Sequence, residues 1–140
     1  MQKYLIFTSY DQEYAIDIGV VREIRNWTQS TIIPSSPAYV EGIINIRGTV
    51  IPLVDFCKKI NLDRAETEKK AMIIVENENK IMSFSVKNVL DIIDYNKYDI
   101  KALPEVSQCN IYNFVDGIIS FDERVIFRIN ISFLIRDCLN

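Results

Sequence analysis

The stretch Gly42-Ile43-Ile44-Asn45-Ile46-Arg47-Gly48-Thr49-Val50-Ile51-Pro52-Leu53-Val54-Asp55-Phe56 constrains this chain more than any other part. It sets glycine and polar positions inside an apolar strand-turn-strand pattern. Ile43 to Ile46 and Val50 to Val54 read as the strands of a hairpin, with Arg47-Gly48-Thr49 at or near the turn. Such a strand pair buries itself, so Asn45 and Arg47 in its midst need a solvated edge or a partner. That points to recognition more than to chemistry. Pro52 brings no amide hydrogen to a ladder, which predicts an edge strand or a local distortion. Asp55 is placed to cap a short helix through Ile60, with Lys58 and Lys59 near its C-terminal end.

Elsewhere β-branched and aromatic residues alternate with frequent polar punctuation, which predicts many short strands. Tyr4 to Thr8 and Tyr14 to Ile18 flank Ser9 to Glu13 as a hairpin would. In the second run Tyr14, Ile16 and Ile18 face one way, Ala15 and Asp17 the other. A brief helical turn and a further strand are expected around Val20, Val21 and Ile24. Ser35 to Gly42 predicts one or two helical turns, with Ser36 as N-cap, Pro37 at the first position and Gly42 as the stop. Asn61 to Lys70 is the most polar stretch and is expected to be a mobile connection. Ala71 to Val75 and Lys80 to Val86 bracket a solvated turn, and Val89 to Ile93 supplies another strand. Tyr95 to Tyr112 reads as an irregular loop lying over a barrel, and Gly117 to Phe121 with Arg124 to Ile129 as a tight third hairpin at Asp122-Glu123.

The last segment changes period. Asn130 can cap a helix in which Ile131, Leu134, Ile135 and Cys138 form one apolar stripe. So short a helix must dock, most simply by closing the end of a barrel. The early and late halves each offer hairpins, a short helix and a small core, without close internal sequence identity. Two small packed β-barrels with helices sealing their ends are the expected architecture.

Composition narrows the function classes. In 140 residues, 49% hydrophobic, Lys+Arg number 16 against 19 Asp+Glu, so no basic surplus exists to attract a polyanion. Histidine is absent, which removes His-based triads and histidine metal sites. Cys57, Cys109 and Cys138 form no Cys-x-x-Cys pair, which fits free thiols and a cytosolic address. The acid pairs fall at hairpin tips, and no phosphate loop or calcium loop is present. No catalytic residue, metal or cofactor is therefore expected. The N-terminus turns polar too soon for a signal peptide, and no apolar run approaches the roughly 18 residues of a membrane span.

The residues resemble the CheW family of chemotaxis coupling proteins essentially end to end. The likeness runs through Tyr4-Leu5-Ile6-Phe7, Glu13 to Ile18, Val21-Arg22-Glu23-Ile24 and Pro37 to Gly42. It is most specific in Asn45-Ile46-Arg47-Gly48 with Ile51 to Asp55, and Gly117-Ile118-Ile119 through Asp122 to Ile126 follows in the right order. The resemblance implies a mainly β fold of two SH3-like five-stranded β-barrels with short helices and a C-terminal helix. The barrels would be intertwined within a single domain over residues 1–140. It implies a non-enzymatic adaptor joining the cytoplasmic tips of chemoreceptors to the regulatory domain of the histidine kinase CheA, cytoplasmic and recruited to receptor arrays. By that likeness Val21, Glu23, Gly42, Asn45, Arg47 and Gly48 meet the receptor tip or maintain the surface that does.

Two departures stand out. In Ile81 to Val89 a serine occupies a family glycine position and Lys87 an acidic one, and Phe127-Arg128-Ile129-Asn130 replaces a Leu-Leu-Asp pattern. They leave open a divergent scaffold that binds only the kinase. A small-barrel nucleic-acid binder is the rival of a different class, permitted by seven tyrosines and seven phenylalanines but lacking a basic groove. Arg47 reads either as a solvent-pointing turn residue or as an interface fork of donors. Asn45 reads as backbone support for the hairpin or as a contact, and Glu23 as an ordinary solvated acid or part of the interface. Val21 reads as core or as part of an exposed apolar groove for a receptor helix, and Gly42 and Gly48 as backbone necessities.

Overall fold

Alternation along the strands determines where the core sits. In the computed structural model, which describes residues 1–60, 67–105 and 113–139, the described strands form two five-stranded sheets. The first contains β1 (Gln2–Ser9), β2 (Gln12–Asp17), β8 (Asn88–Tyr95), β9 (Val115–Phe121) and β10 (Arg124–Ile129), in the order β8-β1-β2-β10-β9. The second contains β3 (Val21–Asn26), β4 (Val40–Ile46), β5 (Thr49–Asp55), β6 (Ala71–Asn77) and β7 (Lys80–Val86), in the order β3-β6-β7-β5-β4. The mainly β, two-sheet architecture expected from the residues is what forms.

Tyr4 and Ile6 of β1 point into the first sheet's own cluster with Ala15, Ile93, Ile119 and Ile126. Their neighbours Leu5 and Phe7 point the other way, into a core shared by both sheets. β6 does the same: Met72 and Ile74 enter the second sheet's cluster, Ile73 and Val75 the shared core. With both faces buried, these strands read as continuous apolar runs. The shared core is centred on Phe56, whose ring lies 5.0 Å from Phe7, 4.9 Å from Tyr14 and 5.8 Å from Phe84. Phe56 opens α1 (Phe56–Ile60), whose first turn Asp55 caps by accepting from the Lys58 amide at 3.1 Å.

The two sheets carry the same pairing pattern. In each the hairpin β1-β2 or β6-β7 is antiparallel, its second strand lies parallel to β10 or β5, and the outer hairpin partner completes the edge. The residues repeat as well. Val40-Glu41-Gly42-Ile43-Ile44 corresponds to Val115-Asp116-Gly117-Ile118-Ile119, and Val50-Ile51 to Val125-Ile126. Asp55 before α1 corresponds to Asn130 before α2 (Ile131–Leu139). These local matches sit within the otherwise low internal identity expected from comparing halves. The repeat runs β1 to α1 and β6 to α2, but each sheet takes its first hairpin from one repeat and its other three strands from the other.

Four two-residue turns close the hairpins, each with both central residues at positive φ: Tyr10-Asp11, Arg47-Gly48, Glu78-Asn79 and Asp122-Glu123. This is the mirror-image turn that suits strand twist, and three of the four use no glycine. The 3-10 turn Ile18–Val20, capped by Asp17, leads into β3 as expected.

Several expectations are corrected. Ser35 to Gly42 is not helical: Ser36 donates both its amide and its hydroxyl back to the Ile33 carbonyl, and the Val40 amide bonds the Pro37 carbonyl, so the segment is a pair of turns. Gly42 stops no helix; it lies within β4. Pro52 is not on an edge strand, because β5 lies between β4 and β7. The parallel register with β7 begins only at Leu53, and the Pro52 carbonyl accepts from the Ser83 hydroxyl at 2.8 Å. α2 seals neither barrel alone: Ile131, Leu134 and Ile135 join the shared core, and Ser132 accepts from Asn77 Nδ2 of β6 at 2.6 Å. Most of the expected mobile connection Asn61 to Lys70, and the later part of the Tyr95 to Tyr112 loop, lie outside the described residues.

Candidate functional site

β3 and β4 are the two outer strands of the second sheet, at opposite ends of its strand order. Among the described residues, side-chain and bridge contacts fasten them at two places. At one end the Arg47 guanidinium donates to both carboxylate oxygens of Glu23, at 2.9 and 3.2 Å. At the other, the Thr31-Ile43 bridge ties the β3-β4 connection to β4, and Trp27 Nε1 donates to Glu41 at 3.3 Å. Between these fastenings a cleft of about 740 Å³ opens, lined among others by Ile24, Arg25 and Asn26 from β3, Asn45 from β4, Met72 and Val89.

The six residues singled out in the sequence divide into three settings. Glu23, Asn45, Arg47 and Gly48 gather at one end of the cleft. The Asn45 side chain accepts from the Gly48 amide at 2.9 Å, which holds the turn. Gly48, at φ 85°, has open space where a Cβ would project, so its glycine serves backbone conformation alone. Gly42 serves a different need: a Cβ there would stand 2.2 Å from the Thr31 carbonyl oxygen, so its bareness admits the bridging segment. Val21 pairs with Val75 and packs against the shared core, away from the turn.

The Arg47 side chain is 72% exposed although it is ion-paired, so its outer face remains open to a partner. Glu23 is held below its ordinary carboxylate value first by its hydrogen bond from Arg25 and then, against partial desolvation, by Arg47. The acid thus organises two guanidinium groups along one side of the cleft mouth.

Two exposed isoleucines stand on core-side faces, one of them, Ile24, in the wall of the cleft. Ile24 pairs with Ile73 and Ile92 with Leu5, and both partners belong to the shared core, so Ile24 and Ile92 lie on the same faces as those core residues. Yet Ile24 is 43% and Ile92 54% exposed. Sequence reading missed Ile24, Ile92, Trp27 and Glu41 as site residues. The repeat would have drawn attention to the two isoleucines, since Ile24 and Ile92 occupy equivalent positions.

The corresponding corner of the first sheet is built differently. Its turn is acidic, Asp122-Glu123, and Arg124 is spent on Glu13 at 2.6 and 2.9 Å, with Asp91 at 3.5 Å. Neither thiol among the described residues is set up as a nucleophile. Cys57 is fully buried, and burial pushes Cys138 up to about 11; Cys109 lies outside the described residues.

Paired sheets and a polar-edged cleft with an exposed Ile24 in its wall define a binding scaffold. The CheW-like domain pattern matches residues 3–138. Chemotaxis protein CheW of Rhizobium meliloti is 34% identical over 126 residues, covering 89% of this chain and 81% of that protein. A probable chemotaxis protein CheW of Rhizobium etli is 34% identical over 134 residues, covering 95% and 86%. The crystal structure of the scaffolding protein TtCheW from Thermoanaerobacter tengcongensis superposes with a TM-score of 0.82 at 31% identity, covering 92% of this chain and 88% of that one. The chain belongs to the CheW family. It is a chemotaxis scaffold, not an enzyme.

Proposed function

We propose that this protein is a cytoplasmic adaptor that couples the tips of chemoreceptors to the regulatory domain of the CheA kinase, acting as one domain over residues 1–140. The observation that carries the reading is the cleft between β3 and β4. It sets three asparagines beside Ile24, with the exposed Arg47 fork following Asn45 at one end, a mixture suited to an amphipathic helix laying its apolar stripe against a groove. Arg47 and Glu23 form the polar corner of that dock, Asn45 and Gly48 shape its turn, and Gly42 and Val21 hold its walls. The adaptor meets receptor arrays through its partners; no helix among the described residues is long and apolar enough to cross a membrane.

Coupling is geometric. One surface grips the receptor and another the kinase domain. Because both sheets share the core around Phe56, displacement at one surface reaches the other through packed side chains.

The departures from the family pattern are accommodated within the fold, which supports the two-partner reading over a kinase-only scaffold. Ser83 and Ser85 are buried with their hydroxyls donating to neighbours, and Arg128 is paired with Asp116 at 2.6 Å. Pull-down with a purified receptor tip and, separately, the kinase regulatory domain tests the bridge, and recovery of only the kinase domain would establish the narrower scaffold. Arg47→Ala should weaken receptor-tip binding about tenfold while leaving cooperative unfolding intact. Wild-type affinity in that variant would remove Arg47 from the dock.

A further inference from the structure

Glu41 immediately precedes Gly42 in β4, and its side chain is only 12% exposed. Its Oε1 accepts from Trp27 Nε1 and lies 3.4 Å from Lys69 Nζ, while its Oε2 accepts from the Ser85 hydroxyl. Lys69 continues to Asp55 Oδ2 at 3.1 Å. One carboxylate therefore joins the end of β3, β4 itself, β7 and the approach to β6, and reaches β5 through Lys69.

Trp27 is what this carboxylate controls. Its ring packs on the second sheet's cluster, whose members Ile44, Ile46 and Met72 line the cleft, while its chain neighbours Asn26 and Thr28 line it directly. We infer that Glu41 is a positioning residue: by tethering Trp27 it fixes the packing behind Ile44, Ile46 and Met72, which line the cleft between β3 and β4. That a receptor helix is what docks there rests on the function proposed above; the tether itself does not.

The repeat supplies a comparison within the same molecule. Asp116 occupies the place of Glu41 and Tyr95 that of Trp27. Asp116 pairs with Arg128, and the Tyr95 hydroxyl donates to the Asp99 carbonyl at 3.3 Å. An acid before the glycine is common to both sheets. The acid-to-aromatic tether is made in the sheet that holds the cleft.

Trp27 is the sole tryptophan, so its fluorescence reports the tether in the full-length protein. Glu41→Ala should raise acrylamide quenching of Trp27 about twofold and weaken receptor-tip binding about tenfold. Glu41→Gln keeps an acceptor for the indole and a donor for Ser85, and should leave both quantities near wild type. Asp116→Ala should lower the unfolding temperature without changing either. Unchanged quenching in Glu41→Ala, failure of Gln to restore it, or an equal binding loss in Asp116→Ala would overturn the inference. If wild type binds no receptor tip, the proposed function falls and the quenching comparison alone decides the tether. Should Glu41→Ala not fold, Trp27→Phe removes the donor while keeping the packing; receptor-tip binding several-fold weaker is expected, and unchanged binding overturns the inference.

Discussion

The two sheets of this protein repeat one pairing pattern and one short Val-x-Gly-Ile-Ile run, yet they finish their outer hairpins in opposite ways. In the second sheet the turn is Arg47-Gly48, its arginine reaches a single acid, and a cleft separates β3 from β4. In the first the turn is Asp122-Glu123, and Arg124 is committed to Glu13 and Asp91. Both outer strands receive a short bridging segment, at Thr31-Ile43 and Lys101-Ile118, and a glycine precedes each bridge. The scaffold is thus duplicated while its edges are not, and the edges carry the difference between structural closure and a surface left open for recognition.

The strongest way to break this comparison is to strike what the sheets share. Phe56→Ala should cost about 3–5 kcal/mol and lower one common unfolding transition. Two separate transitions in a chemical denaturation would show that the sheets do not depend on one core.

The two bridge glycines should separate next. Gly42→Ala drives a Cβ against a main-chain oxygen at 2.2 Å, whereas Gly117→Ala meets the Ile100 side-chain methyl at 2.4 Å, which can turn away. About 3 kcal/mol is expected for the first and about 1 kcal/mol for the second, read from denaturation midpoints. The reverse order would mean that the second bridge is the more rigid.

A smaller contrast concerns the arginines. Arg124→Ala should lose up to about 1 kcal/mol of stability, since its two-point pairing is partly shielded. Arg47→Ala should leave the melting temperature unchanged, its effect appearing in receptor-tip binding.

The smallest effect is alkaline. Burial pulls the Lys69 ammonium down, but Glu41 and Asp55 more than compensate and hold it above its ordinary value of 10.5. A raised lysine contributes stability that is complete below the unfolded value and is lost as pH rises through the folded one. Stability should therefore fall above about pH 10.5, and Lys69→Met should flatten that fall in a pH series of melts.

Local chemistry was legible wherever neighbours in sequence are neighbours in space. The hairpins of β1-β2, β6-β7 and β9-β10, the Asp55 and Asn130 caps and the stripe of α2 all follow from period and capping. Ser36 misled because a serine hydroxyl donates backwards as readily as it accepts forwards. Pro52 misled because an interior strand can leave one residue unpaired where a parallel neighbour begins. The repeat escaped because its units exchange hairpins, so comparing early and late halves sets unlike strands together. At the site, the Asn45 to Gly48 turn stood out in the sequence. Glu41 and Trp27 did not, because a buried acid is recognised only through distant partners such as Ser85 and Lys69.

The hairpin exchange has a consequence for how such a protein can change over generations. A chain of one repeat would hold its first hairpin and its remaining strands in different sheets, and would finish either sheet only by trading with a second copy. Joined in tandem, the trade happens within one molecule and no longer depends on concentration. The two edges, released from having to be identical, are free to drift toward different companions while the frame beneath them stays the same.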